Sequence, residues 1–356
     1  MGNKARQSNI ELLRIITICG VVILHYNGNV AFSLVAEGSA NYYLLQFLEI
    51  LFICAVNLFV LISGYFLYNT NSRKAIKAVE LVAQVILIGV AKYLANVIFF
   101  HAPLSLTSLV GAAIPNNYFV TLYLTVYLLS PYVNIGLKKL SDKQFTVLLA
   151  LCLALFSVWP TILDMVCAII GFHFNGMYPI GSGGSQYGYN FLNFMLMYLL
   201  GAYLRRKPVG KALWDGVGLV ICLVVLMLWQ MFYPAIARAY CNPFVIAVAV
   251  FVFRLFAHLR FSSKLVNTLA KGAFTCFLFH DFCLWHLGVE KVANRSLPIL
   301  FGHILISVSL IFLVSWVIWK VYDWVTKPLF SLLAKPLSKL DVLLSPREIE
   351  LNEETQ

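Results

Sequence analysis

The sequence predicts an all-α, polytopic integral membrane protein of about ten transmembrane helices with both termini in the cytoplasm, on three observations. Hydrophobic residues make up 61% of the 356 and charged residues 12%, which leaves too little polar surface to solvate a globule of this length. Apolar runs of about 20 residues, long enough to cross a hydrocarbon layer, recur near 10–30, 43–68, 79–100, 117–137, 145–166, 189–204, 213–233, 242–259, 272–289 and 298–320. Basic residues fall in every second connection between those runs.

With the N-terminus inside, the inner segments carry Lys4 and Arg6; Arg73, Lys74 and Lys77; Lys138, Lys139 and Lys143; Arg205, Arg206, Lys207 and Lys211; and Arg260, Lys264 and Lys271. The C-terminal segment adds Lys327, Lys335, Lys339 and Arg347, whereas the outer loops hold Arg238, Lys291 and Arg295. The net charge of +11 then needs no nucleic acid, because positive-inside bias and anionic inner-leaflet lipid account for most of it. Basic inner loops also suit an anionic cytoplasmic ligand. No signal peptide is expected, since the first run contains Glu11 and Arg14 and continues without a small-residue cleavage site. Met1 to Ser8 then remain as a short basic tail. A single transmembrane domain is expected over 1–335, with a cytoplasmic tail over 336–356. The chain turns amphipathic after Lys320 and acidic at its end, REIELNEETQ.

The run from Asn9 to Tyr26, NIELLRIITICGVVILHY, is interrupted by Glu11, Arg14 and His25. Arg14 and His25 are 11 residues apart. At about 100° per residue they fall within roughly 20° of one another, about 16 Å apart along the axis. One helix face therefore carries a guanidinium and an imidazole. Ionisable groups are costly in a membrane segment, so this face is expected to line an interior cavity. The alternative has Arg14 snorkelling to the headgroups while His25 caps the far end.

Other polar features are unevenly spread. The second run carries Glu49, Asn57 and the Ser63-Gly64 step; Asn57 and Gly64 are seven residues apart and share a face, where a glycine also serves close helix packing. Near 161–172, after Pro160, a break or an extra half-helix is possible. The outer loop Gly171 to Gly188, GFHFNGMYPIGSGGSQYG, sets flexible glycines beside aromatic rings, which suits a sugar-contacting surface or an ordinary loop. Its GSGGS lacks the Lys-Ser/Thr and preceding strand of a phosphate loop. His280 and Asp281 stand in mid-span. The eight cysteines lie singly, without a CxxC pair or Cys/His metal spacing, so they read as packing residues and no metal is expected.

Asn9-x-x-Leu-Leu-Arg14-x10-His25 resembles the opening signature of the acyltransferase 3 family of integral-membrane acyltransferases. Asn57-Leu-Phe-Val-Leu-Ile-Ser63-Gly64-Tyr65 resembles its second-helix motif, Tyr118 to Tyr123 with Pro131 its "WFLxxL…YLLxP" span, Phe194 to Gly201 its "F…LLG" helix, and Thr275 to His280 its "TFxIYLIH" motif. The similarity covers nearly the whole chain. Tyr118 replaces the family's frequent Trp, and Arg73, Lys74 and Lys77 replace a frequent Arg-x-x-Arg pair, keeping charge but losing one bidentate fork.

The resemblance implies transfer of an acetyl group from cytoplasmic acetyl-CoA to a hydroxyl of a cell-surface or lipid-linked glycan, in a bacterial cell membrane, with polysaccharide synthesis or export machinery as a candidate partner. His25 is then the expected general base or acyl carrier. Arg14 would meet the CoA phosphates or thioester arm, with Arg73, Lys74 and Lys77 as further phosphate partners. His280 would orient His25, contact the acceptor or bridge helices. A glycan or lipid-linked-sugar flippase, or a non-catalytic partner of a polysaccharide synthase, are the competing classes.

Overall fold

The computed structural model of the chain describes residues 6–70, 72–179 and 186–346. Lys4, Arg347, the acidic end 347–356 and the Gly/Ser stretch 180–185 of the outer loop lie outside the described residues. Among the described residues 79% are helical and none lies in a strand. It is an all-α polytopic membrane protein.

The opening apolar run forms α1 (Ser8–Tyr26), which continues through a π-turn at Asn27–Ala31. A turn at Ile53 and Cys54 divides the second run into α2 (Ala40–Phe52) and α3 (Ala55–Leu67). Next come α4 (Ala75–Phe100), α5 (Leu106–Ala113) and α6 (Tyr118–Lys139). Then α7 (Asp142–Leu153), a π segment (Ala154–Val158) and α8 (Trp159–Ile170) follow without interruption. Pro160 lacks the N–H that would bond back one turn, and the π segment immediately before it absorbs the defect without ending the helix. The remaining helices are α9 (Phe191–Arg206), α10 (Ala212–Gln230), α11 (Pro234–Ala237), α12 (Pro243–His258), α13 (Lys264–Leu269), α14 (Ala273–Leu284) and the 45-residue α15 (Leu297–Asp341). α15 runs unbroken past residue 335, where the sequence suggests that a tail begins.

Among the described residues, seven helical segments are long and apolar enough to cross a membrane: α1, α2–α3, α4, α5–α6, α7–α8, α10 and α15. The stretches 189–204, 242–259 and 272–289 each hold a helix, but α9, α12 and α14 have only 16, 16 and 12 residues. At 1.5 Å per residue these reach about 24 Å or less, short of a hydrocarbon core of about 30 Å. Local chemistry sets their ends. Asn190 and Asn242 cap the starts of α9 and α12 through their side chains, and α14 begins only after a tight turn at Ala270–Gly272.

α1 is the central element. It packs against α2, α3, α12, α13, α14 and α15, and Leu13, Ile18, Val22 and Tyr26 are fully buried. By contrast α4 buries only Ala75, Val85 and Ile88, so most of its surface faces outward.

The closest helix pair is α3 on α9. A Cβ on Gly64 would collide with the backbone carbonyl of Tyr198, and one on Gly201 with that of Leu61, so the two backbones meet at a pair of glycines. Asn57 joins the same interface: its Nδ2 donates to Tyr240 O (2.8 Å), while Asn193 Nδ2 donates to its Oδ1 (2.9 Å). Gly64 is thus a packing residue. Gly64→Ala and Gly201→Ala should each cost about 1–3 kcal/mol through overpacking, read as a lower melting temperature and lower membrane abundance; wild-type stability in both variants would show that the helices do not meet there.

Candidate active site

Basic side chains collect at one end of the bundle, where α1 starts and α15 leaves the apolar region. Between α1, α4 and α15 this basic end holds a vestibule of about 630 Å³, lined by Arg6, Lys74, Lys77, Lys271 and Lys327 among others, with Glu80 and Asp323 as the acidic members. A deeper chamber of about 420 Å³ lies against α1, α3, α4, α6 and α14. Arg6, Lys77, Glu80, Gln84 and Lys271 line both, so the two are adjoining compartments of one path.

Arg14 lines the chamber, as its helical phase requires if the polar face of α1 points inward. Its Nη1 lies 2.8 Å from Glu11 Oε1, one turn earlier, and its guanidinium stands 5.7 Å from the Phe66 ring centre. Glu11 is buried and also lies 3.7 Å from Arg6. The chamber wall adds Ser63, Gln84 and Tyr123. Ser63 Oγ donates to Phe59 O at 2.8 Å and sits 3.3 Å from the Tyr123 hydroxyl, and Gln84 Nε2 donates to Thr275 Oγ1 (2.7 Å), tying α4 to α14. The polar wall is therefore braced from four helices, α3, α4, α6 and α14.

His25 and His280 meet edge to face, with ring centres 4.6 Å apart. This is the pairing that α1 and α14 bring together from opposite ends of the sequence. His280 is 4% exposed, and its Nδ1 faces Phe277 O at 2.8 Å and Cys276 O at 3.2 Å. Carbonyls only accept, so Nδ1 carries a proton; in the neutral ring Nε2 then presents a lone pair, and Nε2 has no hydrogen-bond partner among the described residues. Beside it Asp281 pairs with Lys92 of α4 at 3.2 Å. Neither histidine lines the chamber; Phe277 does, and its ring lies 6.1 Å from His280. Phe277 thus joins the chamber lining to the surroundings of His280, while His25 is exposed.

Arg73 sits elsewhere. It is 2% exposed, and its guanidinium donates to Ser130 Oγ (2.9 Å), Tyr127 O (3.3 Å), Thr70 O (3.0 Å), Thr70 Oγ1 (2.8 Å), Ser72 O (2.8 Å) and Leu67 O (3.2 Å). Asn134 Nδ2 shares Leu67 O and Thr70 O, and Tyr198 donates to Asn134 Oδ1. A buried cation at a helix C-terminus satisfies carbonyls that have no partner within the helix. Arg73, expected beside a phosphate, has its donors engaged at the end of α3 and on α6, whereas Lys74 and Lys77 line the vestibule. The sequence did not mark Lys271, Lys327, Ser63 or Tyr123 as one wall, because they come from four separate helices or turns.

The architecture is that of a multi-pass membrane protein with a polar path near a histidine pair in which His280 is buried and His25 is exposed. The chain belongs to the acyltransferase 3 family, whose acyltransferase-domain model matches residues 7–320, and it is an acyltransferase. No curated protein and no solved structure matches it.

Replacing Arg73 by Gln should lower stability by about 3–5 kcal/mol, as removal of one partner from a buried polar network strands the rest. Thermal unfolding in detergent would show it. The material that folds should keep its apparent affinity for an acyl donor, whereas a weakened donor affinity at wild-type stability would restore Arg73 to the binding site.

Proposed function

We propose that the protein is a membrane O-acyltransferase that moves an acetyl group from cytoplasmic acetyl-CoA to a hydroxyl of a cell-surface or lipid-linked glycan. In this reading the basic end is cytoplasmic, ten helices traverse a bacterial plasma (inner) membrane with α9, α12 and α14 among them, and polysaccharide synthesis or export machinery supplies the acceptor. The observation that carries it is the path from the lysine-lined vestibule, past Arg14, to Phe277 beneath His25 and His280.

The donor's phosphates would rest among Lys74, Lys77, Lys271 and Lys327, where charge-assisted contacts favour a polyanion. The pantetheine arm would enter the chamber beside Arg14, whose planar fork can hold an amide or phosphate oxygen. Arg14 stands about 16 Å from His25 along the helix, so it holds the arm rather than the reacting carbonyl. Displacement of Phe277 would admit the thioester to the histidines.

In the direct route the acceptor oxygen attacks the thioester carbon while His25 removes the hydroxyl proton. The C–S bond then breaks, and the CoA thiolate leaves and recovers a proton from the imidazolium. In the two-step route a His25 nitrogen attacks first, releases CoA thiol and hands the acetyl group to the acceptor. His280 orients His25 in either case: its Nδ1–H is anchored to a backbone carbonyl, which fixes the ring against which His25 packs. Asp281 and Lys92 hold the neighbouring charge in place.

His25→Ala should reduce acetyl transfer by about 10²-fold or more, with membrane abundance and CoA binding retained. Arg14→Lys should raise the donor KM about tenfold, because an ammonium keeps the charge without the fork. Radiolabelled transfer by the purified, reconstituted protein checks both. Undiminished transfer by His25→Ala would remove α1 from the chemistry.

A further inference from the structure

The family match ends at residue 320, yet α15 continues to Asp341. From residue 321 to 341 that extension measures about 30 Å. Were it to follow the direction of a spanning helix, its end would stand that far out in water. It does not. Near its start Tyr322 donates to Glu80 O (3.4 Å), while at its end Asp341 Oδ1 accepts from Ala75 N (2.7 Å). Glu80 and Ala75 are one and a half turns apart on α4, about 8 Å. Just beyond, Ser345 Oγ accepts from Arg73 N (3.2 Å), and Leu343 O accepts from the Tyr132 hydroxyl of α6 (3.0 Å). Both ends are thus pinned at nearly the same depth, and the segment lies across the basic end of the bundle. Pro328 and Pro336 inside the helix allow the change of direction.

Its two faces differ. Thr326, Lys327, Phe330 and Ala334 face the vestibule. On the other side Val321, Trp324, Val325, Leu329, Leu332 and Leu340 fall within an arc of about 160°. All six are exposed, Trp324 at 78% and Leu332 at 75%. Lys335 and Lys339 share that arc, and the Asp341 carboxylate caps α4. An aromatic and aliphatic face bearing lysines, held across the basic end of the bundle by bonds to α4 and α6, matches the boundary between acyl chains and anionic headgroups.

We propose that residues 321–343 form an interfacial arm that lies on anionic lipid at the basic end of the bundle, its apolar face in the leaflet and its other face walling the vestibule. The arm's position is independent of the acyltransferase chemistry. Lipid thereby supports one side of the cavity that Lys327 lines.

The full chain is reconstituted in vesicles of phosphatidylcholine, with or without a third of phosphatidylglycerol, using lipids brominated on the acyl chain. The emission lost on Trp324→Phe isolates the Trp324 signal. Brominated lipid should quench that signal about twofold or more, and aqueous iodide should leave it unchanged. Lys335→Gln with Lys339→Gln should abolish any increase in quenching brought by phosphatidylglycerol. Quenching by iodide and not by brominated lipid would place the arm in water and overturn the proposal. Protection from both quenchers, retained in dilute detergent, would overturn it in favour of a second copy covering the face.

Discussion

Charge at membrane depth is the constraint on which the rest of this structure depends. A guanidinium or imidazole surrounded by hydrocarbon costs several kcal/mol unless it meets a partner or a polar cavity, so a helix bearing both cannot face lipid. α1 bears both, and each is met by a partner: Arg14 lines the chamber, and His25, though exposed, packs against His280. Glu11 answers Arg14 at 2.8 Å, the polar wall of Ser63, Gln84 and Tyr123 surrounds the chamber, and α14 delivers His280 against His25. The fold can be described as the means of giving one polar helix face partners while leaving a way in from the basic end.

That arrangement requires close neighbours. Apolar burial does little to drive helices together inside a bilayer, where lipid tails are equally apolar, so packing and interhelical hydrogen bonds carry the association. Gly64 and Gly201 bring α3 and α9 into backbone contact, Asn57 and Asn193 hydrogen-bond across the same interface, and Arg73 secures the far end of α3 against α6. α3 is thereby fixed as the platform that carries Ser63 into the chamber wall. Arg73 supports the site by holding that platform, without touching the cavity.

What the sequence made legible follows from periodicity and its limits. Arg14 and His25 could be assigned to one face because an 11-residue spacing maps directly onto helical phase, and His280 stood out as an imidazole in an apolar run. Gly64 was legible as a packing glycine for the same reason. The hydrogen bonding of Arg73 was not legible, because charge alone points to a ligand, while the carbonyls that engage its donors, at Leu67, Thr70 and Tyr127, become neighbours only after α3 and α6 pack. Helix number was harder to read than helix position: α14 spans just 12 residues, since hydropathy does not register the tight turn at Ala270–Gly272 that delays its start. The arm after Lys320 was visible as amphipathic, but its course across the bundle depends on tertiary bonds to Ala75 and Tyr132.

The central claim is that one continuous path carries a donor from the lysines at the basic end, beside Arg14, to the histidine pair. The most direct measurement is a cryo-EM structure of the reconstituted protein with a non-reactive thioether analogue of acetyl-CoA. The account predicts nucleotide density among Lys74, Lys77, Lys271 and Lys327, the pantetheine arm against Arg14, a displaced Phe277 ring, and the acyl carbon in contact with His25. Density for the analogue outside these two cavities, or an acyl group that ends below an undisturbed Phe277, would contradict it.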